Sequence, residues 1–467
     1  MFSKIISAIE PRHVGLLGLC ILAFFYMALF RYDNFGIEEG AARDLLLNWS
    51  IVHQIANATP LFGVPDLRAL MFMFLDLHWA GSLPAAKVFT LFVLLGTALM
   101  FYRWSEAYDS SETATMATAM VLIAPIALMQ VDSISPGVYL FFCFVSSFWL
   151  DHMFREGKRT VTGALFMLVL MVAFAVSLHP MGLALPLALC LTWLAKSDDA
   201  IMSLKRRNML VAILITTVVM LLMRWGWSGL SWDSAGYLAS LGAILTGSPI
   251  LQSHPPTGWG LIVASVLGMV VVMYAYQRHV ELLSLTLVLA VLMGLVLPDE
   301  HWALMAWVCM LAVGLPQLIA VHRRTGIQSL MGQRGAVLLL LVVCTSLFTS
   351  ANKHYGDIGK MKLKSDVDYL IESAALIAKD DQHDFVMASQ WPGRTMLATR
   401  RDVLPLPPES ILHDGNTFLE KSKGVTHVMF NPNAPENKSL ARIAMSLGDR
   451  METVELLPAG VILKVHP

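Results

Sequence analysis

Stretches of about 20 mostly apolar residues recur along this chain, and each is long enough to cross the hydrocarbon core of a bilayer as a helix. They fall at roughly 14–30, 84–103, 113–131, 136–154, 160–178, 181–195, 208–226, 257–276, 281–297, 302–321 and 335–350, about eleven in all. Composition agrees. Of the 467 residues 56% are hydrophobic and 14% charged, where soluble globular domains carry about 25% charged residues. That deficit excludes a disordered chain, an ordinary cytosolic enzyme and a nucleic-acid binder, which would need a basic surface. Cys20, Cys143, Cys190, Cys309 and Cys344 all lie in apolar runs, so neither a disulfide framework nor a cysteine zinc site is expected. The fold class expected is a polytopic α-helical membrane protein.

Short loops set the orientation, because Lys and Arg accumulate on the cytoplasmic side. With the N-terminus inside, the inner segments carry Arg103, Arg155, Lys158, Arg159, Lys205, Arg206, Arg207, Arg278, Arg323, Arg324 and Arg334, among others. The outer segments before the tail carry only Arg31, Arg43, Arg68, Lys87 and Arg224. The first run lacks a small-residue cleavage site and reads as a retained anchor. An odd number of spans places the tail outside, in the periplasm of a bacterium. The expected domains are therefore a transmembrane domain over 1–351, with a long outer loop at 31–83, and an extracytoplasmic α/β domain over 352–467.

In the tail, Ser365–Lys379 has helical apolar spacing at Val367, Leu370, Ile371, Ala374 and Leu376. DFVMAS at 384–389 and THVMFN at 426–431 read as short buried strands, 437–447 as a helix, and METVELL with GVILKV as a hairpin. The tail has no Gly-rich phosphate loop and no nucleophile elbow, so the expected role is to cover or brace the outer face. In the outer loop, Ile37, Ala41, Leu45, Trp49, Val52 and Ile55 form one apolar helical face, suited to a membrane surface.

Gly36-Ile37-Glu38-Glu39-Gly40-Ala41-Ala42-Arg43 follows the first span. Adjacent helical residues point about 100° apart, so the two glutamates cannot share one target. Glu39 and Arg43 are four apart in the favourable acid-first order. Glu38 is left without a local partner at the membrane boundary, where it can act as a general base or simply favour the first turn of a helix. Further outer residues are Asp132, His179 and the run Pro298-Asp299-Glu300-His301-Trp302. Carboxylates and imidazoles can hold a divalent ion, with Asp299 and Glu300 the expected ligands, yet Asp299 and Asp132 suit helix caps and turns equally. Arg43, Arg68 and Arg224 run against the basic-inside trend; each can fork onto a phosphate or snorkel to lipid headgroups.

These features together resemble the type-C glycosyltransferase superfamily, in its bacterial protein O-mannosyltransferase and aminoarabinose transferase-like group. The resemblance rests on one span, a long outer loop opening with adjacent acids, many further spans and an outer C-terminal α/β domain. Glu38-Glu39 stands where that group has Asp-Glu. Pro136-Gly137 stands where it has Pro-Asp, with Asp132 the nearest acid, and His179-Pro-Met-Gly182 where it has Lys-Gly. The resemblance implies transfer of a sugar from a polyprenyl-phosphate donor to a glycan, lipid or protein acceptor on the outer face of the inner membrane, with inversion. It implies Glu38 and Glu39 as catalytic residues, and Arg43, Arg68, Asp132, His179, Arg224 and His301 as substrate-binding residues. A divalent metal ion is the one cofactor it allows. Two other readings stay open at this stage: a non-catalytic accessory subunit of envelope polysaccharide assembly, and a transporter of lipid-linked substrates.

Overall fold

The computed structural model describes residues 37, 39–43, 45–46, 67–75, 83–108, 111–122, 125–155, 161–195, 200–224, 366–380, 385–407, 412, 414–434 and 437–466. By their contacts these fall into two compact units. One holds residues 87–224; the other joins residues 37–86 with 366–466.

The first unit is helical. Helix α1 (Leu67–Phe74) belongs to the other unit. The chain then continues as α2 (Leu83–Tyr108), α3 (Ser111–Leu122), α4 (Pro125–Asp132), α5 (Pro136–Arg155) and α6 (Val161–Leu178). After a 3-10 turn at Pro180–Leu183 come α7 (Ala184–Ala195) and α8 (Ala200–Arg224). These helices coincide with six of the expected apolar runs. The third run is divided, with Pro125 at the first position of α4, where the missing N–H costs no intrahelical bond. The remaining runs, at 14–30 and beyond 226, lie outside the described residues. Among the described residues α2 alone holds a segment both long and apolar enough to span a membrane, Leu83–Ala107.

Packing inside this unit is aromatic and tight. Phe101 and Trp104 of α2 meet Phe141 and Phe148 of α5, with ring centroids 6.3 Å and 6.0 Å apart for the pairs Phe101–Phe141 and Trp104–Phe148. The outward surface is apolar as well. On α8 Val211, Leu214, Ile215, Val218, Val219 and Leu222 are all exposed, at the spacing of one broad helix face. An exposed apolar face of this breadth marks a surface that meets an apolar partner, protein or lipid.

The second unit contains a five-stranded sheet. Helix α9 (Asp366–Asp380) leads into β1 (Met387–Ser389), α10 (Pro392–Thr399), β2 (Val403–Pro405), α11 (Gly415–Lys421), β3 (His427–Phe430), α12 (Lys438–Leu447), β4 (Met451–Leu457) and β5 (Gly460–Val465). Strand order is β2-β1-β3-β5-β4. β1 runs parallel to β2 and β3, while β5 is antiparallel to β3 and forms a hairpin with β4. All four residues of β3 are buried, as a strand covered on both faces requires. Val428 and Phe430 face a core with Phe418 of α11 and with Leu440 and Ile443 of α12. On α9 the buried stripe is Leu370, Ile371, Ala374 and Ala378, whereas Leu376 is exposed.

The expected helices at 365–379 and 437–447, both buried strands and the closing hairpin are therefore present. β2, α10 and α11 are additions. β2 is three residues that end in Pro405, too short to carry a strand signature.

Phe418 is fully enclosed by this core. Phe418→Ala is expected to lower the unfolding free energy of the second unit by about 3–5 kcal/mol. Denaturant titration of the full chain in detergent measures this, and a loss below about 1 kcal/mol would contradict the packing described.

Candidate functional site

The acidic segment of the outer loop is helical over 39–43 and 45–46 and is packed rather than loose. Ile37, Ala41, Ala42, Leu45 and Leu46 are each at most 2% exposed. The expected apolar face is thus present at Ile37, Ala41 and Leu45, and it is covered by protein. Trp49, Val52 and Ile55 lie outside the described residues.

Glu39 forms the expected pair with Arg43, with Nε to Oε1 at 3.5 Å. Its main engagement is elsewhere. Both carboxylate oxygens reach the first turn of α10. The Gly393 N–H donates to Oε1, and the Arg394 N–H donates to Oε2 at 3.2 Å. The reason lies in the local sequence. α10 opens Trp391-Pro392-Gly393-Arg394, and the N-cap position is held by Trp391, whose side chain caps nothing. Ser, Thr, Asp or Asn at that position would accept from the second or third helical N–H. Glu39 supplies that acceptor instead, from 354 positions earlier in the chain. A negative charge there is also favoured by the helix dipole.

The surroundings of Glu39 are cationic. The Arg394 Nε lies 3.8 Å from Oε2, an ion pair rather than a hydrogen bond. Its guanidinium also stacks over Trp391 at 5.6 Å from the ring centroid. Arg68 is buried, and its guanidinium lies 3.5 Å from where a side chain at Gly40 would begin. Burial pushes the Glu39 carboxyl above the usual carboxylate range; the Gly393 and Arg394 amides and then the two guanidiniums pull the other way without cancelling it. Burial likewise lowers the Arg394 guanidinium, opposed by Glu39 and Asp368.

A second polar cluster sits in the helical unit. Lys87, four residues into α2, is 1% exposed, and its Nζ donates to Asp132 Oδ1 at 2.9 Å, at the last residue of α4. One turn along α2, the Thr90 and Tyr139 hydroxyls share a 2.8 Å hydrogen bond. The turn that presents Asp132 is held by Ser135 N–H to Gln130 O at 2.8 Å and by Ser135 Oγ, which accepts from Gly137 N at the start of α5. Within it Ile134 is fully buried with φ of 55°, a left-handed conformation that β-branched residues rarely adopt.

His179 is buried at the N-cap of the 3-10 turn, where its Nδ1 accepts from the Met181 N–H at 3.2 Å. Gly182 follows because a side chain there would overlap the backbone of Ala175 and Val176 on α6. Arg224 ends α8. Glu38, Asp299, Glu300 and His301 lie outside the described residues. Among the described residues no three His, Cys, Asp or Glu side chains gather as a metal set. Of the expected residues, then, Glu39 and Arg43 come together in one cluster, which also brings in Arg394. Asp132 stands in another with Lys87. Arg394 carried no sequence signal except the missing cap before it, while Lys87 is a cation four residues into an apolar run.

Solved structures give matches along nearly the whole chain. ArnT from Cupriavidus metallidurans bound to undecaprenyl phosphate matches with TM-score 0.61 and 11% identity, over 97% of this chain and 99% of that one. The same protein in its apo state gives TM-score 0.60 and 11% identity, over 97% and 98%. The oligosaccharyltransferase AglB from Archaeoglobus fulgidus, in complex with an inhibitory peptide and a dolichol-phosphate, gives TM-score 0.59 and 10% identity, over 92% of this chain and 71% of that one. The chain has the type-C glycosyltransferase fold. No protein-family model and no curated protein matches the sequence.

Two outcomes follow for the clusters that this type-C fold presents. Removing one partner of a buried ion pair leaves the other charge uncompensated, so Lys87→Met is expected to cost about 3–5 kcal/mol in detergent denaturation. Adding Asp132→Leu is expected to recover most of it, and a double variant no more stable than the single one would contradict a direct pair. For Glu39, a raised native pKa means that the folded chain holds this proton more tightly than the unfolded chain. The group's contribution to stability is complete below the ordinary glutamate value and is lost as pH rises through the raised one. Measured against Glu39→Gln, the wild-type chain is expected to lose stability as pH rises from the carboxylate range toward neutrality. A difference that grows with pH in the opposite sense would contradict burial as the dominant cause.

Proposed function

We propose that this chain is a membrane glycosyltransferase that moves a sugar from a polyprenyl-phosphate donor to an acceptor hydroxyl on the outer face of the inner membrane. The observation that carries the reading is the end-to-end likeness to ArnT, which was solved with undecaprenyl phosphate bound. AglB, solved with a dolichol-phosphate, supports the same class of ligand. The exposed apolar face of α8 supports a lipid environment. In this reading the chain has about eleven spans, a cytoplasmic N-terminus and a periplasmic C-terminal domain, as hydropathy and loop charge favour.

The chemistry is a single displacement at the anomeric carbon. Glu38 takes the proton of the acceptor hydroxyl. The acceptor oxygen forms its bond to the anomeric carbon as the bond to the donor phosphate oxygen breaks, and polyprenyl phosphate leaves with that electron pair. Attack opposite the leaving group inverts the configuration. Glu38 is assigned as base because Glu39 has both oxygens committed to α10. Charge on the leaving phosphate needs a cation held out of bulk water, where its field is least screened. The outer arginines Arg43, Arg68 and Arg224 are proposed as donors of that charge; within the helical unit Lys87, buried and held by Asp132, is a further buried cation. His301 is proposed among the groups binding substrate, and Asp299 with Glu300 as ligands for a divalent ion. Asp132 and His179 are proposed among the groups that bind substrate.

The test is transfer from a panel of labelled polyprenyl-phosphate sugars by membranes holding the full chain. Wild type is expected to turn over at least one donor, and Glu38→Gln to lower kcat by about 100-fold or more, as loss of a general base does. Unchanged turnover in Glu38→Gln would remove the proposed base. Absence of transfer by wild type with every donor would favour an accessory subunit.

A further inference from the structure

We propose that Glu39 is the positioning residue of the acid pair, clasping the segment that carries Glu38 onto the C-terminal α/β domain by capping α10. The inference rests on the transferase reading for its effect on turnover, but the clasp itself stands on geometry alone.

The sheet shows why the clasp is where it is. From β1 the chain crosses by α10 to β2 on one side, then returns by α11 to β3 on the other. In doubly wound sheets the crevice at such a reversal, beyond the carboxyl ends of the strands, is where ligands bind, and the helix N-terminus there takes an anion. Here the same place is filled from within. Gln390, just past β1, accepts at its Oε1 from the Asn431 N–H at 2.8 Å and from Asn437 Nδ2 at 3.0 Å. Ser389 Oγ accepts from the Trp391 N–H at 2.9 Å and shares a hydrogen bond with Thr395. The helix N-terminus itself takes the Glu39 carboxylate. A domain whose anion-accepting turn is closed by its own chain acts as a brace.

Three further features fit a clasp. Gly393 admits the carboxylate: a side chain there would begin 2.7 Å from Glu39 Oε1 and 3.0 Å from Arg43 Cγ. Cations flank the carboxylate on both sides, Arg43 from its own helix and Arg394 from α10. On the N-terminal side of Glu38, Ile37 is 2% exposed. The two chain neighbours of Glu38 are therefore both anchored, one by packing and one by the cap. Glu39 touches no reacting atom in this scheme; it acts through Glu38.

Amide hydrogen exchange on the full chain in nanodiscs, combined with transfer kinetics, tests this. Glu39→Gln and Gly393→Ala are each expected to speed exchange at Gly393, Arg394 and residues 39–43 by about 10-fold or more, with the double variant no faster than either alone. Both are expected to lower kcat by about 10-fold while donor KM changes by less than about threefold, as loss of alignment does. Glu38→Gln is expected to abolish transfer with exchange at Gly393 and Arg394 unchanged. Wild-type exchange in both clasp variants would overturn the clasp, and faster exchange with wild-type kcat would overturn its positioning role. If wild type transfers from no donor while the clasp variants exchange faster, the transferase reading fails and the clasp survives.

Discussion

A carboxylate from the start of the chain capping a helix near its end is the contact on which the second unit depends. Helix α10 begins with a tryptophan at its N-cap and a proline at its first position, so it has no acceptor of its own for the next N–H groups. Glu39 supplies both acceptor oxygens. Residues 37–86 and 366–466 thereby form one compact unit although 280 or so residues separate them along the chain. Closing a loop of that length carries an entropic cost, which the burial of Ile37, Ala41, Ala42, Leu45 and Leu46 offsets together with the cap.

The same contact adds a second commitment to the acid that spacing already pairs with Arg43. Glu39 faces α10 and has both oxygens bound there. Its charge is balanced there by Arg43 and Arg394, and under the proposed function the chemical role belongs to its neighbour. Burial works against ionising Glu39, which is the usual cost of holding a charge in place by fixed partners. In the helical unit the buried Lys87–Asp132 pair has the same character: a charge taken out of water and held in one geometry by its partner.

Much of this architecture is legible in the sequence, for physical reasons. Apolar length alone marks the helices of the first unit, because continuous apolar runs of this length exceed any ordinary strand. The strands β1 and β3 are visible as short apolar runs, and the Glu39–Arg43 pair follows from spacing on a helix. The helix α10 was not legible, since QWPGRTMLAT has no cap and no clear apolar stripe; its missing acceptor is the only hint, and the partner lies hundreds of residues away. Pairing of Lys87 with Asp132 is also long-range, and a single lysine near the end of an apolar run gives no sign of its partner. Leu376 illustrates the opposite error: apolar and nearly in register, it is exposed because the buried stripe of α9 passes through Ala374 and Ala378.

Everything turns on the proposed division of labour between the two acids. An experimental structure of the full chain with a non-hydrolysable polyprenyl-phosphate sugar bound measures it directly. The expected result places the Glu39 carboxylate on the Gly393 and Arg394 amides and the Glu38 carboxylate beside the anomeric carbon, on the face away from the phosphate. A structure with Glu38 turned to bulk water, or with Glu39 released from α10 to meet the sugar, would contradict it.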